Sequence, residues 1–188
     1  KVMGLSSYGK PNFIKQISKL IYDTEDGFKL NLDYFIHHNE KIIFSNENGK
    51  INYKNLYSKK LYDLLGDERR VEEPIMQRHM DIAKSVQTVY ENILFSLLNK
   101  LYQKYKIKNL TLSGGCAMNS VANGKIIENT PFQNIYVSPN PGDAGGSVGS
   151  ACVSIVKSNK LVKKINNYAY LGSSYKNASI SEIIQKKN

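Results

Sequence analysis

The chain is 188 residues long, 41% hydrophobic and 22% charged, with a formal net charge of +10 at pH 7. That size suits one domain, or one domain and part of a second, and allows a substantial core. No apolar run approaches the ~20 residues that cross a bilayer, and no signal-peptide pattern opens the chain, which sets aside a membrane partner. The start, Lys1-Val2-Met3-Gly4-Leu5, is an ordered-looking stretch that reads as a cut through a longer protein. Excess positive charge raises nucleic acid as a partner. The lysines are scattered, however, and arginine, the better phosphate fork, stands at Arg69, Arg70 and Arg78 alone. That pattern is compositional bias and argues against a nucleic-acid partner. Cys116 and Cys152 lack the spacing of a zinc site and read as reduced, buried small side chains of a cytoplasmic protein.

Taken in order, residues 1–11 form a glycine-punctuated loop or helix start. Phe13, Ile14, Ile17, Leu20 and Ile21 then recur at helical spacing. After the Asp26-Gly27 turn, residues 28–32 alternate as a strand does. Residues 39–55 are polar around Ile42-Ile43-Phe44 and an Asn48-Gly49 turn, and fit a hairpin or a loose excursion. A short helix over 56–65 closes at Gly66, and residues 67–74 make a charged connector. The spacing of Ile82, Val86, Val89, Ile93, Leu97, Leu101 and Tyr105 predicts a long, broad-faced helix over 75–105 that serves as a central packing element. Tyr90 and Tyr102 belong to the same packing.

From there the pattern alternates. A strand over 109–112 ends in Ser113-Gly114-Gly115 and is followed by a helix over about 118–128; a strand over 134–137 ends in Pro141-Gly142-Asp143-Ala144-Gly145-Gly146 and is followed by a helix over 145–156. Such alternation predicts an α/β layer with helices covering a sheet. Glycines between a strand and a helix start expose backbone N–H groups at the positive end of a helix dipole, a setting that suits phosphate. The two elbows at one sheet edge would face a nucleotide-sized cleft. Beyond residue 159 the composition turns to Lys, Asn, Ser and Tyr; residues 168–172 read as a linker with a short strand, and 180–184 as an amphipathic piece.

Four segments resemble one family in the same order. They are Gly4-Leu5-Ser6-Ser7-Tyr8-Gly9, the helix stretch from Gln77 to Gln87, the loop from Ser113 to Lys125, and Pro141 to Ala151. Together they resemble the O-carbamoyltransferases typified by nodulation and antibiotic-tailoring enzymes. Leu171-Gly172-Ser173-Ser174-Tyr175 is similar to the lead into that family's second, YrdC-like domain. Ser6-Ser7 and Cys116 depart from the family's usual residues without touching a presumed ligand.

The resemblance implies an actin-like ATPase (ribonuclease-H-like) fold, of which residues 1–160 are the C-terminal lobe of the catalytic domain and 161–188 the linker and start of the YrdC-like domain. It implies that the N-terminal lobe is missing and that the isolated segment is inactive. The implied chemistry uses ATP and carbamoyl phosphate to make carbamoyl-adenylate, whose carbamoyl group passes to the hydroxyl of a small-molecule acceptor. Iron or another divalent metal is the implied cofactor, with Asp143 as a ligand beside two histidines of an H-x-x-x-H helix that this sequence lacks. Gly114, Gly115, Asn119, Gly142 and Gly145 are the implied adenylate-binding residues.

Each of these has a plainer alternative. Asp143 could cap a helix, Asn119 could cap or turn, and the glycines serve any strand-to-helix turn. His79 fits an interior or capping role, and His37 and His38, adjacent in sequence, diverge too much to share a metal. Two other functions fit the same elbows: an actin-fold ATPase or kinase-like nucleotide-binding protein, and a relative of the tRNA threonylcarbamoyl transferases.

Overall fold

A computed structural model describes residues 1–39, 44–47, 49–53, 55–158 and 173–187. Ile42, Ile43 and Asn48 of the polar excursion, the linker over 168–172 and the start of the Leu171–Tyr175 segment lie outside the described residues. The chain forms two compact units, one of residues 1–110 with 119–134, the other of 111–118 with 135–188.

The first unit is organised on one long helix. It opens with α1 (Val2–Leu5), a 3-10 turn (Ser6–Tyr8) and α2 (Ile14–Ile17), followed by strands β1 (Ile21–Thr24) and β2 (Gly27–Leu30). A second 3-10 turn (Leu32–Tyr34), strands β3 (Phe44–Glu47) and β4 (Lys50–Tyr53), and helix α3 (Lys60–Leu65) lead to α4 (Gln77–Tyr105). The β1–β2 hairpin is antiparallel with Ile21 opposite Leu30 and Thr24 opposite Gly27. The β3–β4 hairpin pairs Phe44 with Tyr53 and Glu47 with Lys50, so the polar excursion takes the hairpin form. Helix α3 ends where Gly66 adopts φ 81°, the conformation expected of its closing glycine.

The sequence assigned Ile21 to a helix, and it instead starts β1. Its side chain joins Phe13, Ile14, Leu20, Leu65 and Val86 around buried Ile17, Val89 and Ile93. An apolar residue at the end of a short helical pattern fits either period, and pairing with Leu30 decided for strand. Helix α4 also differs from the apolar reading. Its buried residues include Asp81, Ser85, Gln87 and Glu91 beside Ala83, Val89, Ile93 and Leu98. Leu101 and Tyr105, near its end, are exposed, while Tyr102 packs edge-on against Phe132 at 5.6 Å between ring centroids.

Polar contacts tie the leading segments to α4. Asp81 accepts the Lys10 N–H and the Gln77 side-chain amide on Oδ1, and the Asn12 side-chain amide on Oδ2, each at 2.8 Å. Ser85 Oγ accepts the Phe13 N–H at 2.9 Å and donates to the Asp81 carbonyl at 2.7 Å. Further along, Asp23 of β1 receives Lys100 Nζ at 2.7 Å and the Ser96 hydroxyl at 2.6 Å. Those two donors, lysine first, hold its carboxyl below the usual aspartate value.

The later elements are β5 (Asn109–Leu112), a 3-10 turn (Gly115–Met118), α5 (Ser120–Asn123), α6 (Ile126–Asn129), β6 (Asn134–Val137), a 3-10 turn (Asp143–Gly145), α7 (Gly146–Lys157) and α8 (Asn177–Lys187). Strands β5 and β6 are hydrogen-bonded neighbours. Mixed helix and strand in this order is the α/β class expected. The helix expected over 118–128 is broken into a turn and two short helices: Asn119 leaves helical geometry at φ −77°, ψ 83° and caps α5, and α5 ends at Gly124 before α6 begins after Lys125. No described helix is long and apolar enough to cross a membrane.

Candidate functional site

Both elbows line one cavity of about 580 Å³ in the second unit. The first contributes Thr111, Leu112, Ser113 and Gly114; the second contributes Asn140, Pro141, Gly142, Asp143, Gly145 and Gly146. Backbone chemistry explains the closeness. Gly114 sits at φ 92°, a conformation L side chains rarely adopt, and its N–H donates to the Pro141 carbonyl at 2.7 Å. A Cβ on Gly145 would stand 2.0 Å from the Asn140 carbonyl oxygen, so no larger residue fits this turn. The Gly145 N–H donates to the Gly142 carbonyl at 3.0 Å. These two glycine amides are therefore spent on joining and closing the elbows and are not offered to an anion.

Asp143 opens the 3-10 turn Asp143–Gly145 with its side chain exposed. Among the described residues its carboxylate makes no hydrogen bond or ion pair, and the capping bond that its position allowed is not formed. An unpartnered carboxylate at a cavity rim is available to a cation or a polar ligand. The cavity lining contains no lysine, arginine or histidine. An anionic ligand there meets a negative charge with no positive one among these residues, so it needs a cation from elsewhere.

The residues present do not make a metal centre. No group of three or more His, Cys, Asp or Glu that could hold an ion occurs among the described residues. His79 Nδ1 accepts the Met76 N–H at 2.9 Å, which is the capping role expected of it at the start of α4. His37 and His38 stack edge to face with each other, ring centroids 5.7 Å apart. One carboxylate is short of the donor set any divalent ion requires.

The structure thus brings Gly114, Gly142, Asp143 and Gly145 to one cavity. Gly115 begins the adjoining 3-10 turn. Asn119 belongs to the first unit and is held there by Gln87: Asn119 Nδ2 donates to Gln87 Oε1 at 3.0 Å and Gln87 Nε2 donates to Asn119 Oδ1 at 3.1 Å. Gln87 Nε2 also donates to Glu91 Oε1 at 2.8 Å, and Lys125 Nζ reaches Glu91 Oε2 at 2.7 Å. Sequence reasoning placed Gln87 in the family-like helix stretch without giving it a role, and passed over Glu91. Their signal was polar side chains at i and i+4 inside the apolar pattern of a central helix, where a buried polar residue needs a partner.

Both cysteines are free thiols, Cys116 exposed and Cys152 half-buried. The expectation of burial fails: in the turn Gly115–Met118 the buried residue is Ala117, not Cys116, and α7, which carries Cys152, has no buried residue.

Residues 1–152 match the family model described as carbamoyltransferase N-terminus. The chain is 36% identical to an uncharacterized protein of Synechocystis sp., over 98% of this chain and 29% of that protein. It is 32% identical to nodulation protein NolNO of Sinorhizobium fredii, over 86% of this chain and 20% of the relative. A protein of Methanocaldococcus jannaschii matches at 26% identity over 99% of this chain and 27% of its own length. The chain thus spans under a third of the length of these relatives. With the glycine elbows and the α4 stretch all inside the matched residues, the chain belongs to the O-carbamoyltransferase family, whose N-terminal domain pattern it carries.

Proposed function

We propose that this chain is part of an O-carbamoyltransferase and that the cavity between its glycine elbows is where a carbamoyl-adenylate is held during transfer. The supporting observation is that cavity: two elbows joined by the Gly114–Pro141 hydrogen bond, with the Asp143 carboxylate unpartnered at its edge, in a member of a carbamoyltransferase family. In the proposed reaction, carbamoyl phosphate, ATP and water yield the adenylate with release of phosphate and pyrophosphate. The oxygen of an acceptor hydroxyl then bonds to the carbamoyl carbon, the bond to the adenylate phosphate breaks, AMP leaves, and the hydroxyl proton passes to a base. Holding adenylate and hydroxyl in line is the main contribution a shaped cavity makes.

The finer assignments follow from the same proposal. Residues 1–160 form the C-terminal lobe of an actin-like catalytic domain and 161–188 lead into a YrdC-like domain that makes the adenylate. Gly114, Gly115, Gly142 and Gly145 shape the adenylate site, and Asn119 is assigned to adenylate by the family resemblance alone. Asp143 is this chain's single candidate ligand for iron or another divalent ion; since the donor set here is incomplete, no step is routed through a metal.

The test is turnover by the full-length protein with carbamoyl phosphate, ATP and a panel of hydroxyl acceptors, read as AMP release and carbamoylated product. Asp143→Asn should fold normally, because the side chain has no partner to lose, and should lower kcat about 100-fold or more if that carboxylate holds the cation an anionic ligand needs in this cavity. A wild-type rate from that variant, or AMP-independent transfer, sinks the proposal. Turnover by the 188-residue segment alone sinks the division into lobes.

A further inference from the structure

The chain has 26 lysines and arginines, of which Arg69, Arg70 and Arg78 are the only arginines, and all three line one cavity of about 500 Å³. The lining lies wholly within the first unit, on α3, the start of α4 and the connector between them. Two of the guanidiniums hold the connector in shape. Arg78, in the first turn of α4, donates through Nη2 to the Leu65 carbonyl and through both Nη atoms to the Asp67 carbonyl at 3.3 Å. Arg69 Nη1 donates to the carbonyls of Arg70 at 2.8 Å, Val71 at 3.2 Å and Glu73. A carbonyl oxygen occupies a guanidinium N–H without cancelling its charge. Among the described residues no arginine makes an ion pair.

Fastening the connector does not account for the whole set. Arg70 makes no side-chain hydrogen bond among the described residues, yet it lines the same cavity. Nε and Nη2 of Arg69 and Nε of Arg78 have no partner there either. His79 adds a donor, because a neutral ring whose Nδ1 accepts the Met76 N–H carries its proton on Nε2. Lysine is the basic residue everywhere else in this chain, so planar forks are confined to the one place where they meet.

The acceptors narrow the ligand. Asp67, Glu68 and Glu73 line the cavity too. The Tyr57 hydroxyl donates to Glu68 Oε2 and the Arg70 N–H to Glu73 Oε2, the latter at 3.1 Å, so each keeps Oε1 open. The Asp67 carboxylate has no partner among the described residues. A bare anion gains nothing from these carboxylates and is repelled by them. A molecule with an anionic group for the arginines and hydroxyl groups for the carboxylates uses both sets. A carboxylate is matched by a single fork in its own plane, whereas forks from two segments suit a tetrahedral dianion.

We infer that this cavity binds a phosphomonoester of a small polyhydroxylated molecule, a sugar phosphate in chemical class. Arg70 supplies the fork that the connector leaves free, and Asp67 and Glu73 accept hydroxyl groups. The site shares no residue with the cavity of the glycine elbows, and the inference stands without the function proposed above.

The experiment is calorimetric titration of the full-length protein with glucose 6-phosphate, with inorganic phosphate and glucose as controls. Glucose 6-phosphate should bind at least about 10-fold more tightly than inorganic phosphate, the effect of one hydrogen bond to a charged acceptor. Glucose should give no measurable heat. Arg70→Ala has no side-chain partner to lose, so it should keep the wild-type thermal midpoint and weaken glucose 6-phosphate about 10-fold or more. Arg70→Lys should recover part of that loss, since the charge returns without the fork. Asp67→Asn should weaken glucose 6-phosphate about 3-fold or more and leave inorganic phosphate at least as tight as in the wild type. Should Arg70→Ala unfold, that split between the two phosphates still decides. No saturable binding of glucose 6-phosphate at millimolar concentration overturns the inference. Binding that survives Arg70→Ala intact overturns it as well, by placing the sugar phosphate elsewhere in the protein. Equal affinity for both phosphates, unchanged in Asp67→Asn, would leave a general anion trap and overturn the ligand class.

Discussion

At the scale of single residues, the buried face of α4 spends carboxylates and amides on fixing loops. Asp81 gathers a backbone N–H from Lys10 and side-chain N–H groups from Gln77 and Asn12. These donors, the Lys10 N–H first, hold its carboxyl below the ordinary value of 3.8. A depressed folded-state pKa stabilises the fold at pH above the unfolded value, and the contribution is lost as pH falls through the folded one. Urea unfolding of Asp81→Asn should therefore show a lower midpoint than wild type at pH 7, and a gap that narrows as the pH falls below 3.8. Asp23 and Asp33 carry lowered values of their own, from Lys100 and Lys60, so the variant should keep part of the acid sensitivity. A gap independent of pH would show that the carboxylate's charge is not what these donors recognise. The residue scale is also where the sequence was least legible. Asn119 could be named from its place beside two glycines, but nothing in its neighbours pointed to Gln87, 32 residues earlier. A hydrogen bond across that separation depends on where a helix places one turn, which local pattern does not encode.

At the scale of elements, legibility followed length and boundary. Strands β5 and β6 and helix α4 were readable because each is an apolar pattern stopped by glycine, proline or charge. The interrupted segment after β5 was not, because Ala117, Met118, Val121, Ala122, Ile126 and Ile127 read as one amphipathic helix. Asn119 accepting the Ala122 N–H sets the start of α5, and α5 and α6 part at Gly124 and Lys125. The glycine elbows show the same division between what the local sequence requires and what it merely permits. Gly145 faces the Asn140 carbonyl so closely that an added methyl has nowhere to go, whereas Gly149, inside α7, meets nothing within 4 Å. Gly145→Ala should cost about 1–3 kcal/mol of stability through overpacking and should open the turn that carries Asp143. Gly149→Ala should stabilise by up to about 1 kcal/mol, since a helix-interior glycine carries excess unfolded-state entropy. Circular-dichroism melts of the two variants side by side measure the contrast. Equal effects would mean that the Asn140–Gly145 approach is relaxed in solution.

At the scale of the whole molecule, the two units differ in how they bury apolar surface. The first packs Ile17, Val89 and Ile93 into a cluster and encloses Ile126 completely. In the second, the 12-residue α7 has no buried residue. Val153 is 53% and Val156 61% exposed. A helix of that length is marginal in water on its own, and helices in proteins owe most of their stability to a packed apolar face. The relatives are more than three times as long as the region matched here, with 29% and 27% of their lengths covered. The two facts meet in one prediction. Val153→Asp should change the stability of the 188-residue chain by no more than about 0.5 kcal/mol, as surface substitutions do. In a full-length protein that packs other residues onto α7, the same change buries a charge and should cost at least about 2 kcal/mol. Thermal melts of the variant in both contexts decide between a helix that is solvated by design and one that waits for its cover. A neutral result in both would assign α7 to the surface, and the small residues Gly146, Ser147, Gly149 and Ser150 would then need no close neighbour to explain them.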